Sequence, residues 1–373
     1  MIIGIDASRA FVKERTGIEE YSYQVIKNLR EKLNNHQVIL YVRKGQADNI
    51  IKFSLPRNWR IKEIKLPYLW TQLGLSWEML LCPVDALFVP AHTVPWIHPK
   101  NTYVTVHGLE YEILPESYSF WEKIYMRLSI RKSCQWAKKI ITVSENSKKD
   151  LMKLYDVSED KIKVIYEGVG AVIADESQQA SLEKSENHVN WQKFYNDKYL
   201  LFVGRLEERK NIIGIIRAFE ILKEHYKIPH KLVLVGKFGY GEKKIRQELV
   251  NVNCVKDILL TGFVSEAEKW KLMKKAEVFL FPTFYEGFGL PILEAQALGT
   301  PVVASDNSSI PEITDCSAIL VDPNNAEEIA DATHKIISDE NCRNDLVERG
   351  YENVKRFSWN KCAREIAKLL LEK

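Results

Sequence analysis

The chain is 373 residues long, 46% hydrophobic and 28% charged, with a formal net charge of +3. These are globular values with length enough for two cores, and so small a charge argues against nucleic acid as a partner. Its 6 cysteines stand far apart with no Cys-x-x-Cys pair, which argues against a zinc cluster or redox motif and for a reduced cytosolic setting.

Basic residues outnumber acidic ones in residues 1–167, and the reverse holds in the rest. A basic first half suits an anionic acceptor or membrane surface, and it equally suits ordinary solvated charge. No apolar run reaches the ~18 residues of a spanning helix. The N-terminus passes straight into a strand without a signal-peptide pattern. The expected location is therefore cytoplasmic, with any membrane contact peripheral and at the inner face.

Residues 2–7, apolar but for Asp6, read as a buried strand. A loop ending in Thr16-Gly17 leads to Ile18, Tyr21, Val25, Ile26, Leu29 and Leu33 at helical spacing. Without a full Gly-x-Gly-x-x-Gly this is a weak dinucleotide signal. Gly17 either opens the helix or lets a substrate approach. Strands are predicted at 37–42, 59–64, 85–89 and 102–106, and a helix at 69–81. His107-Gly108 follows the strand at 102–106. Ligands of parallel α/β sheets gather at the carboxyl ends of strands, so His107 is a candidate site residue, set against the commoner structural histidine.

The long helix predicted at 119–136 mixes Trp121 and Tyr125 with Arg127, Arg131 and Lys132. Such a helix either lies on a membrane or lipid phosphate, or, more commonly, packs its aromatics inward and solvates its charges. A strand at 139–143, a helix at 145–155 and a strand at 161–166 close the first half. Residues 168–196 turn polar and lose periodicity, placing a domain boundary at the hinge-like Gly168-Val-Gly170.

The alternation then restarts. A strand at 199–203 runs into Gly204-Arg205-Leu-Glu-Glu-Arg-Lys210-Asn211 and a helix carrying Ile212, Ile215, Ile216, Phe219 and Leu222. Cations at a helix start oppose its dipole. Arg205 and Lys210 are therefore read as anion ligands, the first a fork and the second a point charge, set against the plainer reading of a salt-bridged helix start. The strand at 231–235 ends in Gly236-Lys-Phe-Gly239-Tyr-Gly241, close to a Walker loop, but Glu242 stands where Lys is required and excludes an ATPase.

A strand at 258–260, followed by Thr261-Gly262-Phe263, and a helix from residue 265 lead to the strand at 278–281. Then comes Pro282-Thr-Phe-Tyr-Glu286-Gly-Phe-Gly-Leu-Pro-Ile-Leu-Glu294. Gly287 and Gly289 allow the backbone close to a ligand. The helix behind them, with Pro291 in its first turn and Gly299 at its end, offers an anion site. Glu286 is placed at the loop mouth and Glu294 in the first helical turn. Carboxylates beside a phosphate site make sense if they take hydroxyls elsewhere on the same ligand, as in ribose recognition. The ligand so described is a nucleotide bearing a sugar. No Asp-x-Asp is present to hold a divalent cation, so no metal is expected. Arg205, Lys210 and the helix at Pro291 would stabilise a departing diphosphate in its place. Strands at 301–304 and 318–321, helices at 326–338 and 341–355, and a final helix after Phe357-Ser-Trp359 complete an α/β chain of two parallel-sheet domains facing across a cleft.

Gly204-Arg-Leu-x-x-x-Lys210-Asn211, together with Pro282-x-x-x-Glu286-Gly-Phe-Gly-Leu-Pro-x-Leu-Glu294-Ala-x-Ala-x-Gly299-x-Pro-Val-Val-Ala-Ser305, resembles the family-four retaining glycosyltransferases of the GT-B fold. The resemblance spans essentially the whole chain, and the spacing from Glu286 to Glu294 is its strongest signature. It implies an acceptor-binding Rossmann-like domain over 1–167, with 357–373 packing back on it, and a nucleotide-sugar domain over 168–356. It implies metal-independent, retaining transfer of a hexose from GDP-mannose or a UDP-sugar to a glycan or lipid-diphosphate acceptor, in polysaccharide or lipopolysaccharide synthesis. By this analogy Glu294 holds the ribose, Glu286 faces the donor sugar, and Arg205 and Lys210 bind the diphosphate. Backbone at Gly287, Phe288, Gly289 and Leu290 supports phosphate and sugar, and Phe263 and Val264 lie near the base. Gly17 and His107 reach in from the acceptor domain. Two departures, Gly108 after His107 and a single glycine near Gly17, bear on the acceptor and leave the donor side intact.

Three other readings compete. A nicotinamide dehydrogenase lacks its glycine fingerprint here. A two-domain sugar-binding protein would normally be exported. A non-catalytic transferase subunit would not need Arg205, Lys210, Glu286 and Glu294 together.

Overall fold

A computed structural model of the chain describes residues 1–13, 15–46, 50, 54–170 and 197–372. The polar stretch read as a linker lies outside them from residue 171 to 196. The chain divides into two compact units. One holds Met1–Ile113, Ser119–Gly168 and Phe357–Lys373; the other holds Leu114–Tyr118 and Val169–Arg356.

The first unit is built on seven strands: β1 (Ile2–Asp6), β2 (Gln37–Arg43), β3 (Trp59–Ile64), β4 (Ala86–Val89), β5 (Thr102–Val106), β6 (Lys139–Thr142) and β7 (Ile162–Val164). They lie in the order β3-β2-β1-β4-β5-β6-β7, and every pairing is parallel. β4 and β5 are buried along their whole length, as expected for a parallel sheet covered on both faces. The second unit repeats the plan with β8 (Tyr199–Val203), β9 (Lys231–Val235), β10 (Ile258–Gly262), β11 (Val278–Phe281), β12 (Val302–Ser305) and β13 (Ile319–Val321). Their order is β10-β9-β8-β11-β12-β13, again parallel throughout.

Both orders reverse direction next to the unit's first strand, between β1 and β4 and between β8 and β11. The loops leaving the carboxyl ends of two such neighbours part to opposite sides and leave room for a ligand. The helices close over the sheets by their apolar stripes. Helix Ile212–Glu224 buries Ile212, Ile215, Ile216, Phe219 and Leu222, the positions its spacing predicts. Helix Trp359–Leu371 buries Trp359, Cys362, Ala363, Ile366, Ala367, Leu369 and Leu370. It sits against helix Gly17–Lys32, with the Tyr21 and Trp359 rings 5.9 Å apart.

Three places depart from the sequence reading. The helix expected at 69–81 begins as a π-helical turn, Trp70–Leu75, after Leu69 in the left-handed region. The wide turn seats Trp70 under β3, where its indole N–H donates to the Ile64 carbonyl at 3.3 Å. Helix Glu242–Asn251 follows the rejected Walker-like loop and was not anticipated. It buries only Ile245 and Leu249, too thin a stripe to stand out among its charges. Finally, helix Phe120–Trp136 buries only Ile130, Ser133 and Cys134. Trp121 is 76% exposed, so its aromatics do not pack inward as the commoner reading held.

Candidate donor-site loops of the second unit

The loop after β8 is held rigidly by its neighbours. The Gly204 amide donates to Val235 O at 2.9 Å, Leu206 N to Lys237 O at 2.9 Å, and Gly239 N to Leu206 O at 2.9 Å. Gly236 has φ +140°, and a Cβ there would stand 1.9 Å from the Gly204 carbonyl oxygen, so the two loops can approach only through glycine. From this frame Arg205 projects with its side chain 63% exposed, its Nε 3.9 Å from Glu207.

The chain then makes a tight turn, Glu208–Lys210, that ends at Asn211 in the left-handed region. Asn211 is 4% exposed. Its Oδ1 accepts from Gly214 N at 3.1 Å and caps helix Ile212–Glu224. Its Nδ2 donates to Pro282 O at 3.0 Å and Pro323 O at 2.6 Å. One side chain thus fastens this turn to the loop after β11. A backbone bond from Phe284 N to Arg209 O at 3.0 Å repeats the link.

This juxtaposition brings two of the predicted residues into contact. Lys210 Nζ donates to Glu286 Oε1, and Arg209 Nη1 stands 3.5 Å from the same oxygen. Arg209 also donates to Tyr285 O at 3.1 Å and to Glu207 Oε1 at 2.9 Å. Glu286 is 8% exposed, so it lies inside the loop and not at its mouth. Its amide donates to Ser308 Oγ at 3.1 Å. The Ser309 hydroxyl lies 3.0 Å from Glu286 O and 2.9 Å from Phe288 O and bridges them. Burial pushes the Lys210 ammonium below its usual pKa, and the Glu286 carboxylate opposes that shift.

Gly287, Phe288 and Gly289 complete the loop, with Phe288 4% exposed. Gly289 takes φ 112° ahead of helix Leu290–Ala297, which has Pro291 in its first turn. Glu294 is the fifth residue of that helix, so the first-turn placement is corrected to the second turn. Its Oε1 accepts from Lys269 Nζ at 3.0 Å, apart from the Lys210–Glu286 pair. Phe263 is 44% exposed and Val264 8%. The Lys237 ammonium stands 5.1 Å from the Phe263 ring centroid.

In the first unit Gly17 opens helix Gly17–Lys32, with nothing within 4 Å of where its Cβ would be. His107 directly follows β5. The sequence reading passed over Arg209, Ser308, Ser309 and Lys269. Arg209 adjoins Lys210 and was within reach. The serines follow β12, whose place beside β11 only the strand order reveals. Among the described residues there is no group of three or more His, Cys, Asp or Glu that could hold a metal.

Residues 183–353 match the family model described as glycosyl transferases group 1, and residues 15–171 match glycosyltransferase family 4. The O-antigen chain mannosyltransferase B of Escherichia coli is 30% identical over 267 residues, covering 71% of this chain and 69% of that protein. The chain belongs to glycosyltransferase family 4. The Salmonella typhimurium O-antigen chain mannosyltransferase RfbU is 28% identical over 72% of this chain and 70% of its own. The solved structure of Anabaena HepE with UDP and glucose superposes with a TM-score of 0.74 at 17% identity, over 100% of this chain and 99% of that one. The WaaG glycosyltransferase structure gives 0.71 at 14% identity, over 100% of both chains. These likenesses make the fold GT-B and the chain a glycosyltransferase.

Proposed function

We propose that this family-4 glycosyltransferase moves a hexose, with mannose favoured, from a nucleoside-diphosphate sugar to a glycan or lipid-linked acceptor in surface polysaccharide synthesis, with retention and without metal. The observation that carries the reading is the Lys210–Glu286 contact, with Arg209 3.5 Å away, between loops that leave adjacent strands at the sheet's point of reversal. The relatives named for O-antigen mannosyl transfer support mannose as the sugar, GDP-mannose being the donor the family resemblance implies, while the HepE complex with UDP-glucose favours a UDP-sugar.

In the proposed reaction the bond from the sugar's anomeric carbon to the diphosphate oxygen breaks, and its electron pair leaves with the diphosphate. Arg205 and Lys210 stabilise the charge that develops there. Glu286, pinned by Lys210, orients hydroxyls of the donor sugar. Glu294 accepts from the ribose, backbone from Gly287 to Leu290 supports phosphate and sugar, and Phe263 and Val264 flank the base. The acceptor hydroxyl forms the new bond on the face the diphosphate leaves and gives its proton to a departing phosphate oxygen. Gly17 and His107 belong to the acceptor side.

We propose that exposed apolar side chains of the first unit serve peripheral contact with the inner face of an anionic membrane. Trp77, Leu80, Trp96, Trp121, Tyr125 and Leu128 are each more than half exposed. The segments that carry them are joined by hydrogen bonds. Val94 N donates to Ser133 Oγ at 2.8 Å, Gln72 Nε2 to Val94 O at 3.3 Å, and Ile97 N to Ser76 Oγ at 3.2 Å. Exposed Arg131 and Lys132 share helix Phe120–Trp136 with Trp121 and Tyr125, while Arg127 on the same helix is paired with Glu112. Aromatic rings beside cations are the side chains that favour an anionic interface. Among the described residues no helix is long and apolar enough to cross a membrane.

A thermal-shift panel of GDP, UDP, ADP and their sugar conjugates, with and without EDTA, tests the donor reading. One nucleotide family raising the melting temperature equally in EDTA is the expected result. No response to any nucleotide would return weight to a non-catalytic subunit or a sugar-binding protein.

A further inference from the structure

His107 is held by several groups of its own unit. Its Nε2 lies 2.9 Å from the Pro90 carbonyl oxygen, and its Nδ1 lies 3.4 Å from Glu167 Oε1. The Tyr21 ring meets it edge to face at 4.5 Å and the His92 ring at 5.3 Å. Ser147, on helix Glu145–Tyr155, donates its hydroxyl to the His107 carbonyl at 3.1 Å. Glu167 is only 4% exposed, and its place in the chain is fixed by the next residue. A Cβ on Gly168 would stand 2.0 Å from the backbone nitrogen of Trp359, so glycine lets this strand exit press against the start of helix Trp359–Leu371.

A carbonyl only accepts, so the contact with Pro90 requires a hydrogen on His107 Nε2. Nδ1 then shares one proton with Glu167. Either a neutral carboxyl donates to a bare nitrogen, or the imidazolium donates to a carboxylate. Burial pushes the Glu167 carboxyl above its usual pKa, and His107 opposes the rise. His92 contributes no charge, since burial takes its pKa down to about 3. Arg9 faces His92, and Tyr21 and Cys362 face Glu167; burial keeps both of the latter protonated.

We propose that Glu167 is a positioning residue for the transfer reaction, holding the His107 ring in one orientation and one tautomer against the Pro90 carbonyl. His107 then serves as a fixed wall of the acceptor side and not as a base, because each of its ring nitrogens is engaged. This rests on His107 lying on the acceptor side, as proposed above. A buried carboxylate kept solely for packing would be replaceable by its neutral isostere at no functional cost. A positioning carboxylate is distinguished by acting only through His107.

The test compares Glu167→Gln and Glu167→Ala, each alone and with His107→Ala. Two readouts are used on the full chain. Nitrogen-15 histidine spectra, assigned by the His107→Ala variant, report the tautomer without any substrate. Release of nucleoside diphosphate from GDP-mannose and from UDP-glucose reports turnover. We expect a slowly exchanging His107 Nε2–H signal in the wild type and in Glu167→Gln, and its loss in Glu167→Ala. Turnover should fall about tenfold in Glu167→Ala with donor KM within twofold, recover partly in Glu167→Gln, and fall no further when either change is added to His107→Ala. An unaltered Nε2–H signal in a folded Glu167→Ala protein overturns the proposal. So does additivity with His107→Ala. If neither sugar nucleotide is turned over by the wild type, the donor reading fails while the spectra still decide the role of Glu167.

Discussion

Lys210 shows how one residue joins structure to chemistry. Its side chain is 12% exposed and meets a carboxylate that is 11% exposed, so removing it leaves Glu286 with Arg209 at a longer distance. Lys210→Ala is expected to lower turnover by about 100-fold or more, the scale of losing one group that stabilises developing charge. It should also weaken the thermal response to nucleotide. Steady-state kinetics with the nucleotide sugar that gives the largest melting shift would decide it, and turnover equal to wild type would remove Lys210 from the diphosphate site. Arg205 offers a contrast. Exposed and only 3.9 Å from Glu207, it costs little stability to replace, so an activity loss in Arg205→Ala would report on the ligand alone. The candidate residues were legible here because Arg, Lys and Glu stand at odd places for a helix start. Their partners were not, since Arg209, Ser308 and Ser309 look like ordinary loop residues until β11 is seen between β8 and β12.

At the scale of elements, the loops around the site are fastened by backbone bonds and by side chains together. Asn211 combines a left-handed backbone, a helix cap and two bonds to carbonyls of other loops. Alanine there forfeits all three. Losing the cap costs about 1 kcal/mol, the left-handed conformation about 1 kcal/mol, and the stranded buried carbonyls about 1–3 kcal/mol together. Asn211→Ala should therefore destabilise the second unit by about 3–5 kcal/mol, and Asn211→Gly by about 1 kcal/mol less because glycine accepts the backbone geometry. Urea unfolding followed by fluorescence separates the two. Equal midpoints for wild type and alanine would mean that the bonds to Pro282 and Pro323 contribute nothing. The elements themselves were well marked in the sequence, with helix Ala326–Ser338 and strands β5, β8 and β9 falling on their predicted limits. Helix Glu242–Asn251 escaped because two buried side chains make no visible period.

For the whole molecule, the apolar residues left exposed are concentrated in the first unit. Solvating Trp77, Trp96 and Trp121 costs free energy that an anionic bilayer interface would recover, with about 1 kcal/mol added for each nearby Lys or Arg. Co-sedimentation with vesicles containing phosphatidylglycerol should be strong, should weaken with salt, and should drop severalfold in a W121S/Y125S double variant that keeps its circular dichroism spectrum. Binding that ignores lipid charge and salt would favour a soluble acceptor.

The sequence by itself determined the parallel α/β plan and the motif that marks the family. Each of these is local: strand and helix periods span about ten residues, and the glycines and charges of a phosphate loop must be contiguous to work. Only the tertiary structure decided which residues share a carboxylate, that Glu294 pairs with Lys269 in the second turn, that Glu167 engages His107, and that the aromatics of helix Phe120–Trp136 face outward. Those facts depend on strand order and on which helix face finds a partner, and no stretch of chain encodes its neighbour until the sheet has formed.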